Sequence, residues 1–290
     1  MTASMTPTQL AGEDLAAADR VATIVEGAAP LGVAYSGGVD SATLLALAVR
    51  ALGAENVVAL LGISPSLAAA ERRGAHETAA VIGVRVVEVE THEGEKAGYI
   101  ANDVDRCYFC KDELFSRIDD ALVSELGLAA VAYGENADDA LRPDRPGARA
   151  ATEHRVLRPL AEAGLDKSRV RSVARALALP CADKPAAPCL ASRIPHGQQV
   201  TPEKLRQVET VEEALRDLGF ADSRVRHHGD VARIELPSDA LARSVEPEVR
   251  TAIHRAATGA GFRFAAVDLK GMQSGAFTLT LLDQRGVPRA

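Results

Sequence analysis

Apolar positions along this chain change their period in a regular way. "LGVAY" (31–35) is an unbroken apolar run of strand length, and "DSATLLALAVRAL" (40–52) sets Leu44, Leu45 and Leu47/Ala48 on one face of a helix. The alternation then continues. "VVALLGI" predicts a strand, "LAAAERRGAHETAAVI" a helix, "VRVVEVE" a strand, "KDELFSRIDDALVSEL" a helix, "AAVAYG" a strand and "DKSRVRSVARALAL" a helix. An earlier helix is expected over 15–26, and Asp166 and Ser168 are capping candidates for the last one. Continuous apolar strands alternating with amphipathic helices predict an α/β fold built on a doubly wound parallel sheet.

The rhythm changes after "CADKPAAPCLASRIPHGQQV", a loop rich in proline and small residues. "TPEKLRQVETVEEALRDLGF" predicts an amphipathic helix, and "SRVRHHGDVARIEL" two strands around His228-Gly229-Asp230. "EPEVRTAIHRAATGAG" predicts a helix and "FRFAAVDL" a strand. A first domain over 1–196 and a smaller C-terminal α+β domain over 197–290 are therefore expected, with the boundary near Gly197. The sequence carries no internal repeat and no low-complexity tract.

Composition narrows the class of function. Hydrophobic residues make up 47% of the 290 and charged residues 25%, which is globular composition. No stretch reaches the roughly 18 apolar residues of a membrane span. The start lacks the basic and apolar segments of a signal peptide, so a cytoplasmic location is the expectation. A net charge of −7 weighs against a surface that grips nucleic acid. It leaves room for a local basic pocket that binds a small phosphorylated ligand. Four cysteines without a secretion signal read as free thiols, metal ligands or catalytic groups rather than a disulfide frame.

Between the first strand and the first long helix lies a knot of small polar residues: Ser36, Gly37, Gly38, Val39, Asp40 and Ser41. A glycine-rich turn opening a helix converges backbone N–H groups on an anion, and glycine permits close backbone approach. The knot lacks the lysine of a Walker A loop and the third glycine of a dinucleotide fingerprint. Its simplest alternative is a strand–helix turn with a Ser/Asp cap. The S-G-G-x-D-S pattern resembles the PP-loop of ATP pyrophosphatases. That likeness implies that Ser36, Gly37, Gly38 and Ser41 hold phosphate oxygens and that Asp40 holds Mg²⁺ or a water on it.

Three cysteines sit in distinctive settings. "RCYFCKDELF" puts Cys107 and Cys110 in a C-x-x-C just before a helix, and "KPAAPCLASRIPHG" puts Cys189 in the interdomain loop. A C-x-x-C serves as a redox pair, half a zinc site or two ligands of an iron–sulfur cluster. Lys184, Ser192 and Arg193 suggest an electropositive setting for Cys189, whereas Cys181 reads as structural.

Taken together, "AYSGGVDS", "RCYFCKDELF", "GENADD", "RPLAEAGLDKSRVR" and "DKPAAPCLASRIPHG" resemble the LarE family, from about Gly32 to Gly197 and more loosely beyond. The resemblance implies an ATP-dependent sulfurtransferase for the nickel-pincer nucleotide cofactor. Such an enzyme adenylates a carboxylate of pyridinium-3,5-biscarboxylic acid mononucleotide and replaces the activated oxygen with sulfur. In one version the cysteine at position 189 gives up its own sulfur. In the other, Cys107, Cys110 and Cys189 hold a [4Fe-4S] cluster whose open iron carries the transferred sulfide; this version is favoured because all three thiols are present. The resemblance also implies a homo-oligomer, a hexamer, with no nucleic-acid or membrane partner. A tRNA thiolase and a non-catalytic nucleotide-binding module are the competing readings.

Further candidates follow from topology and charge. Gly134 and Asn136 lie at the carboxyl rim of the sheet, and Ser64 near the expected adenosine. Asp138 and Asp139 are equally a helix cap. Arg193, Arg224 and Arg226 are substrate candidates, the last two sharing one face of a strand, with a solvated strand face as the alternative. Glu235 is similar to a family acidic position near substrate or metal. Arg142 and Arg149 flank a "RPDRPG" loop where the family carries an aromatic at position 144, and His227 and His228 are expected in an exposed turn.

Overall fold

The computed structural model describes residues 10–141 and 146–272. They divide into two compact units. One runs up to Glu93 and resumes over Cys107–Ala187; the other comprises Gly94–Arg106 and the chain from Pro188 onward.

The first unit is the expected α/β fold. Its strands are β1 (Leu31–Tyr35), β2 (Val57–Ile63), β3 (Arg85–Glu90) and β4 (Ala130–Tyr133), all parallel in the order β3-β2-β1-β4. At β1, β2 and β4 the sheet is buried on both faces because these strands are apolar at odd and even positions alike, whereas the edge strand β3 is largely open. Leu31, Val33, Tyr35, Ala59, Leu61 and Ala132 pack on one side with helices α1 (Gly12–Val25) and α2 (Val39–Leu52). Val58, Leu60, Val131 and Tyr133 pack on the other with Phe115 and Ile118. Leu44, Leu45 and Leu47 of α2 are buried, and each stabilises the fold by roughly 2 kcal/mol through area removed from water. The helix α3 (Ala69–Ile82) connects β2 to β3.

Two expectations shift in detail. The helix predicted to start at Lys111 starts earlier. Counting the short helix Ala97–Ala101 as α4, α5 spans Arg106–Arg117, then passes through a π-helical turn over Ile118–Leu122. Cys107 and Cys110 therefore lie inside α5 rather than before it: no glycine or proline interrupts "RCYFCKDELF", so nothing stops the helix from running back over them. After β4 come α6 (Ala137–Ala140), α7 (Pro146–Glu153) and α8 (Lys167–Ala176). Asp166 caps α8 by accepting from the Arg169 amide at 2.7 Å.

In the second unit, α9 (Pro202–Asp217) and α10 (Pro247–Ala260) pack together beside a three-stranded sheet. Its order is β5 (Arg224–His228), β6 (Val231–Glu235) and β7 (Phe264–Val267), with β5 antiparallel and β7 parallel to β6. Thr201 caps α9 by accepting from the Lys204 amide, and Pro202 opens its first turn. His227 departs from expectation. It faces the interior of β5, buried against Phe262, and bonds Gln207 at 2.9 Å, because the period of two that turns Arg224, Arg226 and His228 one way turns Val225 and His227 the other. His228 is exposed.

Candidate active site

The strand order places a switch point between β1 and β4: the chain leaves β1 toward β2 on one side, while β4 lies on the other. Open α/β sheets bind ligands at the carboxyl ends of such strands. Both loops there carry candidates. After β1, Gly37 turns with φ +72°, a conformation only glycine adopts freely. The loop is internally bonded: the Ser36 amide donates to Ser41 Oγ at 3.2 Å, and Ser41 Oγ donates to Gly38 O at 3.1 Å. After β4, Gly134 presses on the same backbone. A Cβ there would stand 2.7 Å from Ser41 N and 2.8 Å from Asp40 C.

Asp40 sits in the first turn of α2, half-buried, between two partners. Asn136 Nδ2 donates to its Oδ1 at 3.1 Å, and Lys167 Nζ to its Oδ2 at 2.5 Å. Asn136 is itself buried and locked as the cap of α6, accepting from the Asp139 amide at 3.0 Å. The Lys167 amide donates to Asp138 Oδ2 at 2.9 Å, which brings the start of α8 against the β4 loop. A carboxylate, an ammonium group and the glycine-rich loop at a helix N-terminus form a set suited to a polyphosphate with its cation. Gly134 and Asp40 fit that use, since the corner is already as close as backbone atoms allow.

Ser64 follows β2, but its hydroxyl is engaged within the protein. It donates to Glu93 Oε1 at 2.5 Å, as Ser66 Oγ does at 2.9 Å. This hydroxyl–carboxylate cluster shapes the rim beside the loop.

Cys107 is exposed and Cys110 half-buried on α5, three residues apart and so on one side of the helix. Cys189 is exposed in the second unit, where it precedes a 3₁₀ turn over Leu190–Arg193. Among the described residues, no three His, Cys, Asp or Glu side chains stand together as a metal site. The thiols themselves, soft donors open to solvent, are of the kind an iron–sulfur cluster takes. Cys181 is buried, and desolvation raises its pKa, which suits an inert structural thiol. The electropositive setting expected of Cys189 is only partly present. Lys184 pairs with Glu71 at 2.6 Å, and Arg193 pairs with Glu212 at 2.9 Å.

In the second unit the arginines are buried rather than on a solvated strand face. Arg193 donates to Glu212 and to Pro188 O at 2.5 Å. Arg226 pairs with Glu235, which is 0% exposed, at 2.9 Å, and donates to Ser192 O at 3.0 Å. Arg233 pairs with Glu235 Oε1 and Asp268. Burial lowers the pKa of Arg224, and the neighbouring charges of Arg193 and Arg226 add to the effect. Four guanidiniums thus face two buried carboxylates and Asp268, an excess of positive charge that an anionic ligand would neutralise. Arg149 lies 3.8 Å over the ring of Tyr108, while Arg142 and Asp144 lie outside the described residues.

No protein-family model matches the chain. It is 34% identical over 255 residues to pyridinium-3,5-bisthiocarboxylic acid mononucleotide synthase of Lactiplantibacillus plantarum, covering 86% of this chain and 89% of that one. The chain belongs to the LarE family. It is also 42% identical over 243 residues to an uncharacterized protein of Synechocystis sp., covering 84% and 90% of the two chains. An uncharacterized protein of Methanocaldococcus jannaschii is 28% identical over 209 residues, 71% of this chain and 77% of the other. Among the described residues, no helix is long and apolar enough to cross a membrane.

Sequence reasoning missed three polar groups in this LarE-family chain: Lys167, Glu93 and the pair Asn102–Arg106. Lys167 stood in view as the second residue of a predicted helix. Its meaning comes only from Asp40, 127 residues away. Glu93 carried no signal beyond following a strand.

His154 of α7 was also missed, and it holds the thiol-bearing helix. It bonds Asp119 at 2.6 Å and Asp112 at 3.1 Å and packs on Phe115. Burial lowers its pKa, but the hydrogen bonds and charges of Asp119 and Asp112 outweigh that effect and raise it overall. With a folded-state pKa above the unfolded value of about 6.5, the clamp stabilises fully below that value. Its contribution fades as pH climbs through the raised folded pKa. Denaturant titrations of the wild type and His154→Gln are expected to differ more at about pH 6 than at about pH 9. The same difference at both would refute the charged clamp.

Proposed function

We propose that this chain is an ATP-dependent sulfurtransferase that converts a carboxylate of pyridinium-3,5-biscarboxylic acid mononucleotide to a thiocarboxylate, in the synthesis of the nickel-pincer nucleotide. A carboxylate is a poor electrophile, because its leaving group would be oxide. In the proposed first step, a substrate carboxylate oxygen attacks the α-phosphorus of ATP and pyrophosphate departs. The loop amides of residues 36–41 and Lys167 neutralise the departing charge, while Asp40, once Lys167 turns to the phosphates, is free to hold the nucleotide's magnesium. In the second step, sulfur attacks the acyl carbon and AMP leaves with the oxygen. Cys107, Cys110 and Cys189 would hold an iron–sulfur cluster, which supplies the sulfide when bound. Arg193, Arg224 and Arg226 bind the substrate's phosphate and second carboxylate.

The observation that supports this reading best is the corner at the switch point, where Gly134 packs on the loop backbone and Asp40 is held between Asn136 and Lys167. The test is pyrophosphate release with ATP and the pyridinium mononucleotide. Release that requires this nucleotide, and that Asp40→Asn abolishes, is the expected result. Release stimulated by tRNA alone would favour the thiolase, and no release with either would overturn the reading. Anaerobic purification then decides the sulfur source. A brown protein that bleaches in Cys107→Ala supports the cluster, whereas a colourless one whose Cys189 becomes dehydroalanine on turnover supports the cysteine as donor.

A further inference from the structure

The segment Gly94–Arg106 contributes no group to the chemistry proposed above, yet it carries a buried polar side chain with four hydrogen bonds. Asn102 is completely buried and left-handed, with φ 56°, and it closes α4 through its own N–H on Tyr99 O at 3.1 Å. Its side chain turns away from α4. Nδ2 donates to Ile194 O at 3.2 Å, Pro195 O at 2.9 Å and Gln198 O at 3.0 Å. Its backbone oxygen accepts from the Gly197 amide at 3.2 Å and from His196 Nδ1 at 3.0 Å. Three carbonyls require the amide nitrogen on one side, so the oxygen is fixed on the other. There it accepts from Arg106 Nη1 at 2.5 Å, and the same nitrogen donates to Ala191 O at 3.0 Å.

Six residues of one irregular loop, Ala191, Ile194, Pro195, His196, Gly197 and Gln198, thus hang on two side chains and one carbonyl. Irregular backbone without such partners moves freely and leaves its polar groups to water. This loop cannot be free if it has a chemical task, because its leading residues are Cys189, Ser192 and Arg193. The Ser192 amide bonds Cys189 O at 2.9 Å, so fixing the 3₁₀ turn from its far end also fixes the residue that starts it. The clasp further spends a buried guanidinium on neutral oxygens, an expensive choice for a loop that needed only stability.

We propose that Asn102 and Arg106 are positioning residues for sulfur delivery: they hold the Leu190–Gln198 loop, and with it Cys189, in the conformation from which sulfur is passed on. This rests on the function proposed above. Two substitutions separate the side chain from the backbone at position 102. Asn102→Gly keeps the left-handed conformation and removes every side-chain bond. Asn102→Asp also tolerates that conformation and keeps the acceptor for Arg106, but loses the three donations.

The experiment uses the full chain and two readouts. By hydrogen exchange, amides of residues 188–200 are expected to exchange at least about tenfold faster in both variants, with residues 31–48 unchanged. With saturating pyridinium mononucleotide, thiocarboxylate formation is expected to fall at least about tenfold, while pyrophosphate release stays near the wild-type rate. Unchanged exchange at 188–200 would overturn the clasp. Faster exchange with wild-type thiocarboxylate formation would overturn the positioning role and leave the proposed function standing. Thiocarboxylate formation and pyrophosphate release falling together would also overturn the positioning role. A wild-type protein that releases no pyrophosphate would instead remove the function, and the positioning role with it.

Discussion

Alanine at position 134 is expected to lower pyrophosphate release at least about 100-fold while leaving the fold intact. The added methyl would sit 2.7–2.8 Å from Ser41 N, Asp40 C and Ser41 Cα, distances that real Cβ atoms do not reach. These neighbours are backbone, so no side chain can swing aside; either the β4 loop or the loop after β1 must move. Overpacking of this kind costs about 1–3 kcal/mol of stability, which a sheet with two buried faces tolerates. Catalysis tolerates it less well, since a shift of about 1 Å in a catalytic group commonly removes two orders of magnitude in rate. Gly259 in α10 is the control, because a Cβ there meets nothing within 4 Å. Gly259→Ala is expected to leave activity unchanged and to add up to about 1 kcal/mol of stability through helix propensity. An active Gly134→Ala enzyme would mean that the corner plays no part in binding phosphate.

The second large effect concerns two arginines on one strand with opposite expectations. Arg226→Leu takes from the fully buried Glu235 its 2.9 Å partner, leaves it the pair with Arg233, and removes the bond to Ser192 O. Breaking one side of a buried pair costs about 3–5 kcal/mol, so the urea midpoint should fall sharply with little change in slope. Arg224 sits two residues away on the same face, where burial and the charges of Arg193 and Arg226 already disfavour its protonated form. Arg224→Met relieves that repulsion while giving up the attraction of Glu235 and Glu212, so its loss of stability should be smaller than that of Arg226→Leu. The KM for the pyridinium mononucleotide should nevertheless rise about tenfold or more, because a charge kept at a cost to stability is one that a ligand needs. Equal loss of stability in both variants would mean that the cluster is only structural.

The parallel sheet was legible because its inner strands are apolar on both faces, and a run such as "VVALLGI" has few other places to go. The glycine corner was legible because the chemistry of a phosphate loop is compressed into consecutive residues. Lys167 and Glu93 were not, because each takes its meaning from a partner distant in the chain: Asp40 for one, Ser64 and Ser66 for the other. His227 was misread for a different reason. Two adjacent histidines before a Gly-Asp turn look polar, but strand alternation sends only one of them outward. The start of α5 was misplaced by weighting the cysteines as a loop motif over the unbroken helical sequence around them.

The membership of Gly94–Arg106 in the second unit has a practical consequence for anyone dissecting the protein. The chain crosses between the two bodies at 93/94, at 106/107 and again at 187/188. A truncation after Ala187 therefore strips the loop of Asn102 and Arg106, and the released C-terminal fragment should refold poorly if expressed alone. Chimeras that exchange this body between relatives will need three splice points, with the short insert travelling alongside the long tail.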